Sequence, residues 1–255
     1  MSDHIVLMQI IEESLWSSFV VFLRVGAFIA FMPGIGEQSI PIRFRLLFGI
    51  TISIPILPMV NDIPLPTLYN IFLLTLTEPL IGLLLGIGLR LFVLSIQTAG
   101  SIAAQSTSLA QLSAGVFSDP MPAIGQLMTM AAITIFFVLD LHVHAFSLIL
   151  GSYSFLKIGI FPNANQLIIW GVNQISQCFS LAFQLSAPFM LLSLIYNITL
   201  GAINRAMPQL MVVFVGAPFI TWSTLFIFMV ISVAILSVWA TKISIFINWP
   251  FGNFS

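Results

Sequence analysis

Thr67 to Ala104 reads TLYNIFLLTLTEPLIGLLLGIGLRLFVLSIQTAGSIAA, an apolar run with only Glu78 and Arg90 as charges. As one helix it would measure roughly 55 Å, at about 1.5 Å per residue. The hydrocarbon core of a bilayer is only about 30 Å thick. Leu167 to Ile203 and Leu210 to Ile247 share its apolar character and its length. Three such stretches predict an all-α membrane protein under one condition. The stretches are either broken into short pieces, or they belong to an assembly in which other protein replaces lipid as the apolar surroundings.

Composition agrees. The chain has 255 residues, 59% of them hydrophobic and 6% charged, with a mean hydropathy of +1.13. Seven basic and eight acidic side chains could not cover that much apolar surface in water. The formal net charge of −1 argues against a nucleic-acid partner, which is held through a basic field. A membrane or a protein surface is the expected neighbour. With one cysteine, Cys178, no internal disulfide or thiolate cluster is available. The first residues, MSDHIVLMQIIEESLW, lack a basic n-region and a small-residue cleavage site, so they do not read as a removable signal peptide.

Outward from the first long stretch, the chain punctuates itself with prolines and glycines. A first apolar helix is expected from about Leu15 to Met32, with Arg24 in its middle, ended by Pro33, Gly34 and Gly36. A shorter stretch, Phe44 to Val60, carries Pro55 and Pro58, which end or kink a helix. The run Gln105 to Pro122 is a small-residue loop, followed by a helix over Ile124 to Leu150 and a second loop around Lys157 and Pro162. The last two long stretches are joined by NRAMPQ, Asn204 to Gln209, and form an antiparallel hairpin. Basic residues are too few and too scattered to fix the orientation.

Charges inside apolar stretches are costly when they face lipid and are normally turned toward protein or water. Arg24, Glu78 and Arg90 are such charges. Glu78, Gly82, Gly86 and Arg90 follow one another at intervals of four, so they form one stripe of a helix. Glycines at that spacing let a neighbouring backbone approach closely. The stripe therefore reads as helix packing with its charges paired across the interface, the alternative being an ion pathway. Two uncharged polar stripes stand beside it. Gln97, Ser101, Gln105 and Ser108 lead into the central loop, and Asn173, Gln177, Ser180 and Gln184 lie on the fifth stretch. Each is either interhelical hydrogen-bond glue or a wet lining that binds nothing tightly.

The central loop holds Gly115 and presents Leu109, Leu112, Val116 and Phe117 as apolar tips. Irregular backbone at membrane depth is tolerated only where it is buried in protein or lines a cavity; an ordinary surface loop is the other reading. Met121, Met128 and Met130 follow, as soft seals or as core filler. Asp140 and His144 would share a helix face, but His142 points away from both, short of the three or four ligands that zinc takes. No HExxH, GxSxG, Walker loop or GxGxxG context is present, so no catalytic constellation is visible. From the residues alone, a six-helix secondary transporter using Glu78, Asp140 and the histidines for proton coupling stands as a rival to a channel subunit.

Taken in order, several motifs resemble the FliR family, the R-type subunit of the flagellar and virulence type III protein-export gate. They are Arg24, PGIGEQSIPIRFR (Pro33 to Arg45), EPLIGLLLG (Glu78 to Gly86), Asp119 with Pro120, His142 and His144 with the following SYSF, and Ala187 with Pro188. The most specific is NITLGAINRAMPQ, Asn197 to Gln209, which contains Arg205, with Phe214 and Pro218 beyond it. Where the family places an asparagine soon after the Pro-Gln pair, this chain has Met211 and Val212.

The resemblance implies a non-enzymatic subunit without cofactor in the bacterial inner membrane, at the flagellar basal body. A helically wound hetero-oligomer with P-type and Q-type subunits, lifted largely out of the bilayer plane, would surround it. Residues 1–165 would be a P-like part and 166–255 a Q-like hairpin with a tail. The central loop would plug the pore through Leu109, Leu112, Gly115, Val116 and Phe117, and Gln97, Ser101, Gln105, Ser108 and Met121 would line the pore or pack subunits. Arg24, Glu78, Gly82, Gly86, Arg90 and Arg205 would be buried charges or packing positions. Further partners would be the B-type export-switch protein, the A-type gate subunit and the unfolded exported proteins. Flagellar export is the leading assignment and virulence secretion the alternative.

Overall fold

A computed structural model of the chain describes residues 2–37, 39–60, 63–106, 123–207 and 212–251. Seven helices and no strand occur among them: α1 (Ser2–Phe31), α2 (Ile42–Ile56), α3 (Leu68–Ser106), α4 (Ala123–Val138), α5 (Leu141–Phe155), α6 (Ala164–Ala206) and α7 (Val212–Asn248). A single 3-10 turn, Leu57–Met59, follows α2. Five helices are long and apolar enough to cross a membrane, and α4 with α5 together make a sixth, broken candidate. The protein is all-α and membrane-embedded.

The three outsized stretches are unbroken. α3 has 39 residues, α6 has 43 and α7 has 37, although Pro79, Pro188 and Pro218 lie inside them. Proline removes one backbone hydrogen bond, and in a long helix the flanking turns carry the segment through. The break appears elsewhere. The single helix expected over Ile124 to Leu150 is two, parted at Leu139 and Asp140. Asp140 has φ 53, in the left-handed region, and Asp is one of the few side chains that adopt it without prohibitive strain. α1 also begins well before Leu15, running through the acidic pair Glu12 and Glu13.

The chain folds as two compact units whose segments interleave. The first comprises residues 1–90, 139–172 and 244–255, and the second 91–138 and 173–243. The expected division at residue 165 concerns likeness to other subunits and follows a different line from these units.

In the first unit the buried face of α1 carries Val21, Val25, Phe28 and Ile29, with Met32 just beyond its end, and that of α3 carries Leu74, Ile81, Leu85 and Leu89. Both rows recur every three or four residues, the period that puts side chains on one helix face. Arg24 and Glu78 sit within these same rows and are fully buried. Trp16 fixes the entry to α3 by donating its indole N–H to the Pro64 carbonyl at 2.8 Å.

In the second unit the interior is drawn from Val93, Ile96, Ala99 and Ala103 of α3, Met128, Ala132 and Phe136 of α4, Leu181, Leu185 and Phe189 of α6, and Ile220 and Trp239 of α7. Gly100 and Gly125 face each other so closely that a Cβ on Gly100 would strike the Gly125 backbone. Trp239, fully buried, donates its indole N–H to the Phe92 carbonyl at 2.8 Å. Met128 is core, whereas Met130 is exposed.

Candidate functional site

Polar chemistry in the first unit converges on one buried ion pair. Arg24 comes from the C-terminal part of α1 and Glu78 from the third turn of α3, and their side chains meet with Nε to Oε2 at 2.7 Å. Neither side chain is exposed at all. A buried pair is tolerable only when its polar atoms find further partners, and here each guanidinium nitrogen and each carboxylate oxygen has one. Arg24 Nη1 donates to Ser152 Oγ at 3.1 Å and Nη2 to the Leu156 carbonyl at 3.1 Å. Glu78 Oε1 accepts the Gly159 backbone N–H at 3.1 Å. The guanidinium also lies 4.0 Å from the centroid of the Tyr153 ring, in cation–π contact. α1, α3, α5 and the turn after α5 are thereby tied at one point.

Glycine makes this approach possible. A Cβ on Gly82, one turn beyond Glu78, would collide with the Arg24 carbonyl and crowd Ala27, and one on Gly86 would press on the Phe28 carbonyl and Phe31 at 2.9 Å. The stripe ends at Arg90, which takes both carboxylate oxygens of Glu37 at 2.6 and 3.3 Å. This second pair is about a quarter exposed. Glu37 belongs to the turn after α1, where Gly36 is pressed against the Ala30 and Met32 carbonyls. Arg45 closes the same turn by donating to the Ile40 carbonyl.

Thus Arg24, Glu78, Gly82, Gly86 and Arg90 lie together in one unit. Arg205, grouped with them from the sequence, is instead exposed near the end of α6. Sequence reasoning missed the partners Glu37, Ser152, Tyr153 and Gly159, and the Leu156 carbonyl. Three of these lie within quoted motifs, Glu37 in PGIGEQSIPIRFR and Ser152 and Tyr153 in SYSF, but spacing along the chain says nothing of which motif faces which.

The polar stripes fall in the second unit. Gln97 and Ser101 are half-buried and Gln105 is exposed, with Ser101 donating to the Gln97 carbonyl of its own helix at 2.9 Å. On α6, Gln177, Ser180 and Gln184 are exposed and Asn173 is half-buried. The Gln184 amide donates to Ser180 Oγ at 3.2 Å. Exposed apolar residues flank them, among them Ile175, Phe179 and Phe183. Ser108, Leu109, Leu112, Gly115, Val116, Phe117 and Met121 lie outside the described residues.

Asp140 stands at the helix break, its backbone carbonyl accepting the N–H groups of Val143 and His144. Since it precedes α5, it does not share a continuous helix face with His144 as expected. Among the described residues no three His, Cys, Asp or Glu side chains gather as a metal site.

Comparison with known proteins gives a consistent result. The family described as bacterial export proteins, family 1, matches residues 15–245. A protein of Caulobacter vibrioides named flagellar biosynthetic protein FliR is 35% identical over 204 residues, covering 78% of this chain and 81% of its own. The Escherichia coli protein of that name is 30% identical over 207 residues, with 78% of each chain covered. That of Bacillus subtilis is 29% identical over 208 residues, covering 78% and 79%.

Proposed function

Because the chain belongs to the FliR family of bacterial export proteins, we propose that it is a non-enzymatic subunit of the flagellar type III protein-export gate in the bacterial inner membrane. It would contribute part of the conduit by which unfolded flagellar proteins leave the cell. Its partners would be P-type and Q-type gate subunits, with the B-type export-switch protein and the A-type gate subunit nearby.

The observation that carries this reading is the outer surface of α6. A continuous helix of 43 residues is roughly twice the length a bilayer core accommodates. Its exposed face mixes Gln177, Ser180 and Gln184 with Phe179 and Phe183. Amides left in hydrocarbon cost several kcal/mol by the usual transfer estimates, so this face calls for protein partners or a water-filled path. A gate subunit inside a larger assembly meets both needs. The ion-paired stripe then serves as a rigid frame, with the central loop as the plug at the entrance.

The flagellar reading is favoured over virulence secretion by the names of the relatives above. A proton-coupled transporter is disfavoured because Glu78, the acid it would use, is already committed to Arg24 and to the Gly159 N–H.

Affinity purification of the tagged chain from flagellated cells tests the assembly. Co-purification of P-type and Q-type subunits supports it, and a lone monomer that catalyses solute uptake in liposomes rejects it. Deletion of residues 106–118 in the intact complex tests the plug. Increased ion leak is expected, and unchanged conductance would remove the plug from the reading.

A further inference from the structure

The turn after α5 and the end of α7 border a groove of about 850 Å³ in the first unit. Four of its wall residues, Phe155, Ile160, Phe161 and Trp249, are half or more exposed. Large apolar side chains gathered in the open and rimmed by polar ones mark a contact surface, because they gain by leaving water.

The rim is rich in unspent donors. Lys157 is the only charged residue of the lining. It is exposed and forms no ion pair with any described residue. The side chains of Gln166, Asn248 and Trp249, also on the groove, make no hydrogen bond to another described residue. Asn163 caps α6 by accepting the Asn165 backbone N–H at 3.0 Å, and the start of that helix adds the positive end of its dipole. A cation, free donors and a helix dipole with no acid in the lining call for an occupant that brings a carboxylate. The walls call for one that brings apolar side chains as well.

Contacts behind the groove set its shape. Trp170 donates its indole N–H to the Pro250 carbonyl at 2.7 Å. The buried ion pair anchors the backbone on both sides of Lys157: Arg24 holds the Leu156 carbonyl and Glu78 the Gly159 N–H. Gly159, with φ 72, lets the chain turn there. Walls fixed in this way lose little ordering entropy when an occupant arrives. The four residues after Phe251 read GNFS and contain no acidic side chain, so they do not answer Lys157.

We propose that the groove is a docking site for an acidic, apolar segment of a partner protein, with a carboxylate on Lys157 and apolar side chains along Phe155, Ile160, Phe161 and Trp249. The inference rests on the reading of the chain as a subunit of an assembly. It adds to that reading a second contact surface, on a different unit from the polar face of α6.

The tagged full-length chain in flagellated cells, with the photo-crosslinker p-benzoylphenylalanine in place of Ile160, tests it. Expected is a crosslink to a co-purifying protein, mapped by mass spectrometry to an apolar segment with an Asp or Glu within one helical turn of the crosslinked residue. The yield should fall about two- to fivefold in Lys157→Gln, the effect of losing one exposed ion pair, and fall further in Lys157→Glu, where like charges meet. It should hold in Lys157→Arg, and return when Lys157→Glu is combined with reversal of the mapped acid to lysine. A mapped segment without an acid, a yield unchanged in Lys157→Glu, or a reversal that restores nothing would overturn the proposal. So would a crosslink found only on lipid, on a second copy of this chain or on this chain's own residues 252–255, and so would no crosslink at all. Any of these results with the P-type and Q-type subunits still co-purifying removes the docking inference alone; a lone monomer removes the export reading and the docking site together.

Discussion

Arg24→Met should destabilise the chain by about 3–5 kcal/mol, because it leaves the Glu78 carboxylate buried without its cation. Glu78→Met should cost a similar amount by stranding the guanidinium. The double variant removes both charges, and its cost reduces to the two backbone groups that lose a partner, the Leu156 carbonyl and the Gly159 N–H. Ser152 Oγ retains its bond to the Ile149 carbonyl at 2.6 Å. At about 1 kcal/mol for each lost hydrogen bond, the double variant should be destabilised by about 2 kcal/mol, against about 6–10 for the sum of the singles. The coupling energy is then about 4–8 kcal/mol, above the usual range for residues in one network. Equilibrium unfolding of the purified chain in mixed detergent micelles with rising dodecyl sulfate, followed by tryptophan fluorescence, measures all three variants. Free energies that add to within about 0.5 kcal/mol, as independent sites do, would refute the idea that these charges form a single closed clamp.

The glycines offer a contrast. Gly82→Ala forces a Cβ onto the Arg24 carbonyl, a backbone atom that cannot swing away, and should cost about 1–3 kcal/mol in the same assay. Gly171→Ala meets nothing within 4 Å and should be neutral or stabilising by up to about 1 kcal/mol. At the helix break, Asp140→Gly should be neutral or raise the melting temperature, since glycine adopts φ 53 freely, whereas Asp140→Val should lower it by an amount corresponding to about 1–2 kcal/mol. Trp239→Phe removes one of two donors to the Phe92 carbonyl, which keeps the Ser95 hydroxyl, and should cost about 0.5–1.5 kcal/mol, read as a lower dodecyl sulfate midpoint.

The class of fold was legible because it depends on composition and period alone. Apolar runs too long for a bilayer, interrupted at Pro33, at the central loop and at the Asn204 turn, dictate long membrane helices whatever their neighbours. The stripe from Glu78 to Arg90 was legible for the same reason, since intervals of four place side chains on one helix face. Continuity was not. Length against bilayer thickness left broken rods and rods within an assembly both open, yet α3, α6 and α7 run unbroken through Pro79, Pro188 and Pro218, while a break falls at Asp140, whose backbone angle no residue pattern announces.

Pairing was decided only in three dimensions. Arg24 could have met any acid; it meets Glu78 because the buried faces of α1 and α3 put both charges in one row and Gly82 lets the two backbones close. Glu37 found Arg90, and Ser152, Leu156 and Gly159 completed the clamp, through contacts between residues 53 to 132 positions apart. Local sequence sets what a helix can bury, because periodicity is a property of the chain. Which helix it buries against is set by tertiary packing, because that contact is a property of the folded whole.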